Sequence, residues 1–159
     1  MAPKVTIYTD GAARGNPGPG GYGVILISGK HRLELSEGYR LTTNNRMELM
    51  AVIAGLEALK VPGSEVTIYT DSKYVADAVE QGWVFQWESK YFKKKKNPDL
   101  WMRFLRVFRN HKVRFVWIKG HASNPENEFC DRLAVEASGK INLIEDIGYI
   151  PETEINSLF

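Results

Sequence analysis

One cysteine, Cys130, stands in 159 residues, so an intrachain disulfide framework is excluded. No apolar run approaches the roughly 20 residues of a membrane span, and Val24 to Ile27 is typical of the longest. The N-terminal Met1-Ala-Pro-Lys-Val-Thr lacks the charged-then-apolar pattern of a secretory leader, which makes a cytoplasmic protein the expectation. A Walker A lysine pattern and a G-x-S-x-G elbow are both missing. Gly18-Pro-Gly-Gly-Tyr-Gly23 has dinucleotide-loop spacing, but a strand-like run follows it where a helix is required. With 25% charged and 11% aromatic residues the chain does not fit a disordered composition. A chain this long buries about 68–70% of its unfolded surface and needs no staple.

What is present is a divided charge. The chain carries 21 Lys/Arg and 19 Asp/Glu, yet ten of the basic residues (Lys90, Lys93, Lys94, Lys95, Lys96, Arg103, Arg106, Arg109, Lys112, Arg114) fall within residues 90–114 beside one acid, Asp99. That segment is +9 and the remainder −7. An acidic body with one basic segment suits a polyanionic partner gripped there.

Strand-like runs cover Lys4 to Asp10, Tyr22 to Ser28 and His31 to Arg40, with a turn-rich stretch over residues 11–21 and a hairpin turn at Gly29-Lys30. Asn44 to Lys60 reads as a helix ended by Pro62-Gly63. Ser64 to Thr70 reads as a strand, Ser72 to Glu80 as a short helix, and a Trp-rich and then Lys-rich stretch follows. Pro98 opens a helix to about Asn110, Lys112 to Ile118 alternates as a strand, and Pro125 to Ser138 is the last helix. The polar, Pro-interrupted tail over 141–159 is expected to pack loosely. No break long enough for a linker occurs, so residues 1–159 read as one α/β domain with a mixed sheet.

Val5-Thr-Ile-Tyr-Thr-Asp10 and Val66-Thr-Ile-Tyr-Thr-Asp71 are the same hexapeptide. Side chains alternate along strands, and identical phase gives both aspartates equivalent positions. If the two strands are parallel neighbours, about 4.8 Å apart, the carboxylates lie side by side at the carboxyl edge, where open α/β sheets hold ligands. At roughly 5 Å and an effective dielectric near 20, their repulsion is about 3 kcal/mol. Either a proton or a cation must relieve it. In helical projection Glu48 falls among Ala51, Val52, Gly55 and Leu59, while Arg46, Glu57 and Lys60 gather on the polar side. An inward carboxylate is costly unless it is paired or binds metal. Asp131 lies early in a helix that Asn124 caps and Pro125 opens, and His121 follows the last strand. His31 and His111 have no acid cluster nearby, and Cys130 reads as buried packing. Carboxylates without a Cys/His cluster suit a hard cation, Mg²⁺ or Mn²⁺, rather than zinc. With a basic segment on the same chain they point to metal-assisted phosphodiester chemistry.

Asp10-Gly, Asn16-Pro-Gly, Thr43-Asn-Asn-Arg-Met-Glu48-Leu, Tyr69-Thr-Asp71-Ser, Trp117-Ile-Lys-Gly-His121, Asn124-Pro-Glu-Asn-Glu and Cys130-Asp131 together resemble bacterial type 1 ribonuclease H, from about residue 3 to about 148. The resemblance implies a five-stranded mixed sheet, three antiparallel strands and then parallel ones, with helices on both faces. It implies endonucleolytic hydrolysis of the RNA strand of an RNA–DNA hybrid, leaving 5′-phosphate and 3′-hydroxyl ends. Asp10, Glu48, Asp71 and Asp131 match the family's metal-binding acids, which hold two Mg²⁺ with substrate bound. His121 matches its mobile histidine, thought to assist proton transfer or product release. Gly11, Asn16, Asn44 and Asn45 match positions near the RNA minor groove and its 2′-hydroxyls. Thr43 matches a contact to a DNA-strand phosphate. Residues 82–97 resemble the basic protrusion, which would lay Trp83, Trp87 and Lys93, Lys94, Lys95 and Lys96 along the DNA strand.

Lys73 stands where many members carry Gln, which favours a phosphate contact over a minor-groove hydrogen bond. The protrusion is a few residues shorter than in some relatives, and no added hybrid-binding domain is expected. A same-fold DNA nuclease of integrase or resolvase type and a non-catalytic nucleic-acid-binding module remain as alternatives. No heptad pattern or long apolar segment calls for a protein partner, so a monomer is expected.

Overall fold

The computed structural model describes residues 2–120 and 124–151. Three strands, β1 (Lys4–Ala13), β2 (Gly18–Ser28) and β3 (His31–Thr42), form an antiparallel meander. On the other side of β1 lie β4 (Glu65–Thr70), parallel to β1, and β5 (Lys112–Trp117), parallel to β4. The sheet order is β3-β2-β1-β4-β5. Five helices complete the fold: α1 (Asn44–Glu57), α2 (Lys73–Glu80), α3 (Trp83–Ser89), α4 (Pro98–Phe108) and α5 (Pro125–Ser138).

Alternation along β2 shows how both faces of the sheet are covered. Val24 and Leu26 join Ile7, Leu49, Val52, Ile53 and Leu56 in the main core beneath α1. Gly21 and Gly23 point the other way, to α5, where a methyl group on either would collide with the backbone of Ala134 or Cys130. The glycines thus let α5 lie directly on the sheet. Trp101, Phe104 and Leu105 of α4 extend the main core toward α2 and β5, and Trp101 is fully buried with its indole N–H donating to Tyr74 Oη at 2.8 Å.

Four features depart from the sequence reading. The turn-rich stretch at 11–21 is mostly strand: β1 continues to Ala13 and β2 begins at Gly18, because Asp10 to Ala13 pair with Gly23 to Gly20. Close packing of Gly11 on α1 and of Gly21 on α5 accounts for part of that composition, and the turn itself is confined to residues 14–17, with Gly15 in the left-handed region. The Trp-rich stretch forms α3, with Gly82 in the left-handed region before it (φ 77°). Arg46 is not on a solvent-facing side; it is 1% exposed and hydrogen-bonded to Asn97, Asp99 and Asp146. Finally, the tail is not loose over 143–149. Ile144 bridges to Tyr39, Arg40 donates to the Leu143 carbonyl, and Asp146 accepts from both Arg46 and Thr42. Residues 152–159 lie outside the described residues.

Candidate active site

The repeated hexapeptide builds the floor of the site. Val5, Thr6, Ile7 and Tyr8 of β1 pair residue for residue with Val66, Thr67, Ile68 and Tyr69 of β4. The two tyrosine rings stack at 5.1 Å between centroids, and Thr9 donates from Oγ1 to the Tyr69 carbonyl. Zero offset between the copies brings Asp10 and Asp71 together at the carboxyl edge. Glu48 arrives from above on α1, whose first turn is capped by Thr43 Oγ1 accepting from the Arg46 N–H. A side chain on Gly11 would strike the backbone of Met47 and Glu48, so glycine there allows α1 to approach β1. One carboxylate oxygen each from Asp10, Glu48 and Asp71 lies within 4.8 Å of the others.

The cluster is buried and unbalanced. Asp10 is 4% exposed and Glu48 9%, and Glu48 Oε1 has no hydrogen-bond partner. Burial, and next the charge of Asp71, push the Asp10 carboxyl up to about 8, with a hydrogen bond from Glu48 opposing and Asp131 adding further repulsion. Burial, then the charges of Asp10 and Asp71, hold Glu48 well above the usual carboxylate range. Cys130, buried beside Tyr8, is likewise pushed up, first by burial and then by Asp10. Three acids forced together, one oxygen orphaned, and a donor set of oxygens alone fit a hard divalent cation. Asp131 is half-buried on α5 and near enough to act on Asp10, though outside the tightest trio. His121 lies outside the described residues.

Around this pocket the chain ties two loops together. The Ala13 N–H donates to Asn44 Oδ1 at 2.6 Å, and the Asn44 N–H donates to Asn16 Oδ1 at 3.0 Å. Both side-chain oxygens are used, which leaves the amide NH₂ groups of these two exposed residues as the remaining donors. Asn16, Asn44 and Asn45 are exposed and Thr43 is half-buried. Lys73, at the first position of α2, holds Nζ 4.9 Å from the centre of the Trp117 ring. Trp117 ends β5, and its Nε1 donates to the Asp71 carbonyl at 3.0 Å. Trp117 stands in a motif that carries the resemblance, but the sequence reading assigned it no role at the site. The available signal was its place on the strand beside β4, one residue short of the Asp71 level.

The basic stretch divides. Arg103 and Arg109 are engaged by Glu57 and Glu88, whereas Lys93, Lys94, Lys95 and Lys96 are exposed on the loop between α3 and α4. Tyr91, Phe92, Lys94 and Asn97 of that loop have positive φ, and buried Phe92 anchors it. Trp83 is 45% exposed. Trp87 is half-buried, edge-on to Trp101 at 5.8 Å, with Lys95 Nζ 5.2 Å from its ring centre.

Comparison with known proteins gives a consistent outcome. The family model described as RNase H matches residues 2–139. A ribonuclease H of Trichodesmium erythraeum is 58% identical over 151 residues, covering 92% of this chain and 96% of that protein. Among solved structures, LC9-RNase H1, a type 1 RNase H with the type 2 active-site motif, superposes with a TM-score of 0.79 at 32% identity, over 87% of this chain and 74% of the other. LC11-RNase H1 in complex with RNA/DNA hybrid gives a TM-score of 0.64 at 30% identity, over 84% and 95%. The chain therefore belongs to the ribonuclease H family, as a bacterial type 1 member and a nuclease hydrolase.

Proposed function

We propose that this ribonuclease H hydrolyses the RNA strand of an RNA–DNA hybrid in the pocket of Asp10, Glu48 and Asp71, with Asp131 completing the acid set. The observation that carries the reading is the zero-offset pairing of the twin hexapeptides, which crowds acids that a proton or a cation must reconcile. Mg²⁺, with Mn²⁺ as a substitute and two ions when substrate is bound, would supply Lewis acidity and charge at the scissile phosphate. Asp10 and Glu48 hold their carboxylates in a buried setting, so little rearrangement is needed as the phosphate arrives. Asp71, half-buried, faces the solvent side from which substrate enters. His121, which follows β5 in the sequence, is assigned proton transfer or product release.

The tied Asn16–Asn44 pair supports recognition of RNA, because its remaining amide donors can meet minor-groove acceptors and 2′-hydroxyls. Asn45 and Gly11 border the same surface, and Thr43 is assigned a DNA-strand phosphate. Lys93 to Lys96 supply a salt-dependent grip indifferent to sequence, with Trp83 and Trp87 beside them. The buried, reduced Cys130 suits a cytoplasmic setting, and the enzyme is read as a monomer. The test is incubation with labelled RNA–DNA hybrid, double-stranded RNA and double-stranded DNA, with Mg²⁺ and with chelator. Cleavage of the hybrid alone, dependent on metal and leaving 5′-phosphate and 3′-hydroxyl ends, is expected. Equal cutting of a DNA duplex would favour a DNA nuclease, and no cutting with either Mg²⁺ or Mn²⁺ a binding module.

A further inference from the structure

We infer that Trp117 is a positioning residue of this enzyme, one indole serving both Asp71 and the ammonium of Lys73, and that Lys73 so held contacts a phosphate of the bound hybrid. The inference rests on the hybrid-hydrolysing reading above. Trp117 closes β5 opposite Thr70, the residue before Asp71. Its Nε1 donates to the Asp71 carbonyl, at the point where β4 has ended and the chain turns into α2. The Asp71 backbone is held on a second side by the turn itself: the Ser72 N–H donates to Thr70 Oγ1, and Ser72 Oγ accepts from the Val75 N–H as the α2 cap. Two fixed points flank a residue whose carboxylate must keep its place among three acids.

The same ring carries Lys73. Its Nζ sits over the indole at 4.9 Å, and no carboxylate among the described residues is in ion-pair contact with it. A cation over an indole face at an exposed site is held weakly. That suffices to bias a flexible side chain without neutralising it, so the full charge remains for an anion. Lys73 is exposed and two residues from Asp71, and Trp117 is 41% exposed, so the pair forms part of the rim that a strand lying across the acids must pass. A point charge with rotatable donors suits a phosphate oxygen more than a base edge.

Three variants separate the two roles, read by hybrid binding in chelator and by steady-state cleavage in Mg²⁺. Lys73→Gln should weaken metal-free binding about three- to tenfold near 0.1 M salt and reduce the slope of log affinity against log salt by about 0.7–0.9. It should raise KM more than it lowers kcat. Trp117→Phe keeps a ring under Lys73 but loses the N–H, and should leave the salt slope in place while lowering kcat about tenfold. Trp117→Leu should show both defects. An unchanged salt slope in Lys73→Gln, or a wild-type kcat in Trp117→Phe, would overturn the inference. Because the Lys73 arm is read by binding without metal, a wild-type protein that grips hybrid but never cuts it would sink the hydrolytic reading and with it the Trp117 role, while the salt slope of Lys73→Gln would still decide the phosphate contact.

Discussion

Arg46 and Glu48 sit two residues apart on α1, both almost removed from solvent, and they are treated in opposite ways. The Arg46 guanidinium receives two oxygens of Asp99, two of Asp146 and one of Asn97, all at 2.7–3.3 Å, with the Tyr149 ring 5.8 Å away. Every donor is used and the charge is compensated. Glu48 faces Asp10 and Asp71, groups of its own sign, and keeps an oxygen with no partner. A buried charge surrounded by its complement ties structure together; one surrounded by its like is held ready for something absent from the chain.

Removing the unbalanced charge should have the largest effect. Glu48→Gln is expected to lower kcat on the order of 10⁴-fold, the scale seen when one member of a catalytic group is lost. The same change should raise the melting temperature of the metal-free protein, since a glutamine needs no proton taken up on folding to stay neutral in the buried site. A drop in metal-free stability would show that Glu48 belongs with Arg46 as a structural tie. The converse substitution, Arg46→Met, leaves Asp146 buried without its partner and should cost about 3–5 kcal/mol in urea unfolding. A loss under 1 kcal/mol would mean that the contacts of the tail with α1 are incidental.

The unbalanced half of this contrast was legible in the sequence and the balanced half was not. Two identical hexapeptides need only pair in register to bring Asp10 to Asp71, and the helical phase of Glu48 needs only its near neighbours Ala51, Val52 and Gly55. Both signals are local or repeated. Arg46 has partners 53 and 100 residues away, and an arginine in projection beside Glu57 and Lys60 looks like any surface cation. Asp146 sits in a polar, proline-interrupted tail whose composition suggests no docking; one buried pair overrides it. Gly21 reads as part of a turn because the helix it admits is more than a hundred residues further along the chain. Trp117 bears on the site through the carbonyl of Asp71, just past the end of the neighbouring strand, a contact that only the sheet order brings about.

Acidity sharpens the comparison further. Asp10 and Glu48 hold protons in the metal-free folded protein at pH values where the unfolded chain, with ordinary carboxylates near 4, has released them. The folded state therefore binds more protons between about pH 4 and about pH 8, and stability must fall as pH rises through that window and level off above it. The decline from Asp10 alone should be on the order of 5 kcal/mol in chelator, and Asp10→Asn should flatten it. A divalent cation competes with those protons, so its affinity should rise over the same interval and reverse the trend by mass action. A metal-free protein equally stable at pH 5 and pH 8 would show that burial and like charge do not perturb these acids.

The smallest expected effect is at the lysines of the loop between α3 and α4, which are exposed where both of the other clusters are buried. Replacing Lys93, Lys94, Lys95 and Lys96 together by alanine leaves the Phe92 anchor and the Trp87–Trp101 contact untouched, so the fold should be unaffected. KM for hybrid should rise on the order of tenfold near physiological salt, and the salt slope should shrink by up to about 3. At saturating hybrid kcat should stay within about twofold, because Asp10, Glu48 and Asp71, the acids to which the cut is assigned, are held by α1, β1 and the end of β4 rather than by the protrusion. Steady-state cleavage across a salt series decides the point. A fall in kcat as large as the rise in KM would mean that the protrusion also sets the strand's position over Asp10 and Asp71, and that grip and chemistry are not divided between regions as their burial suggests.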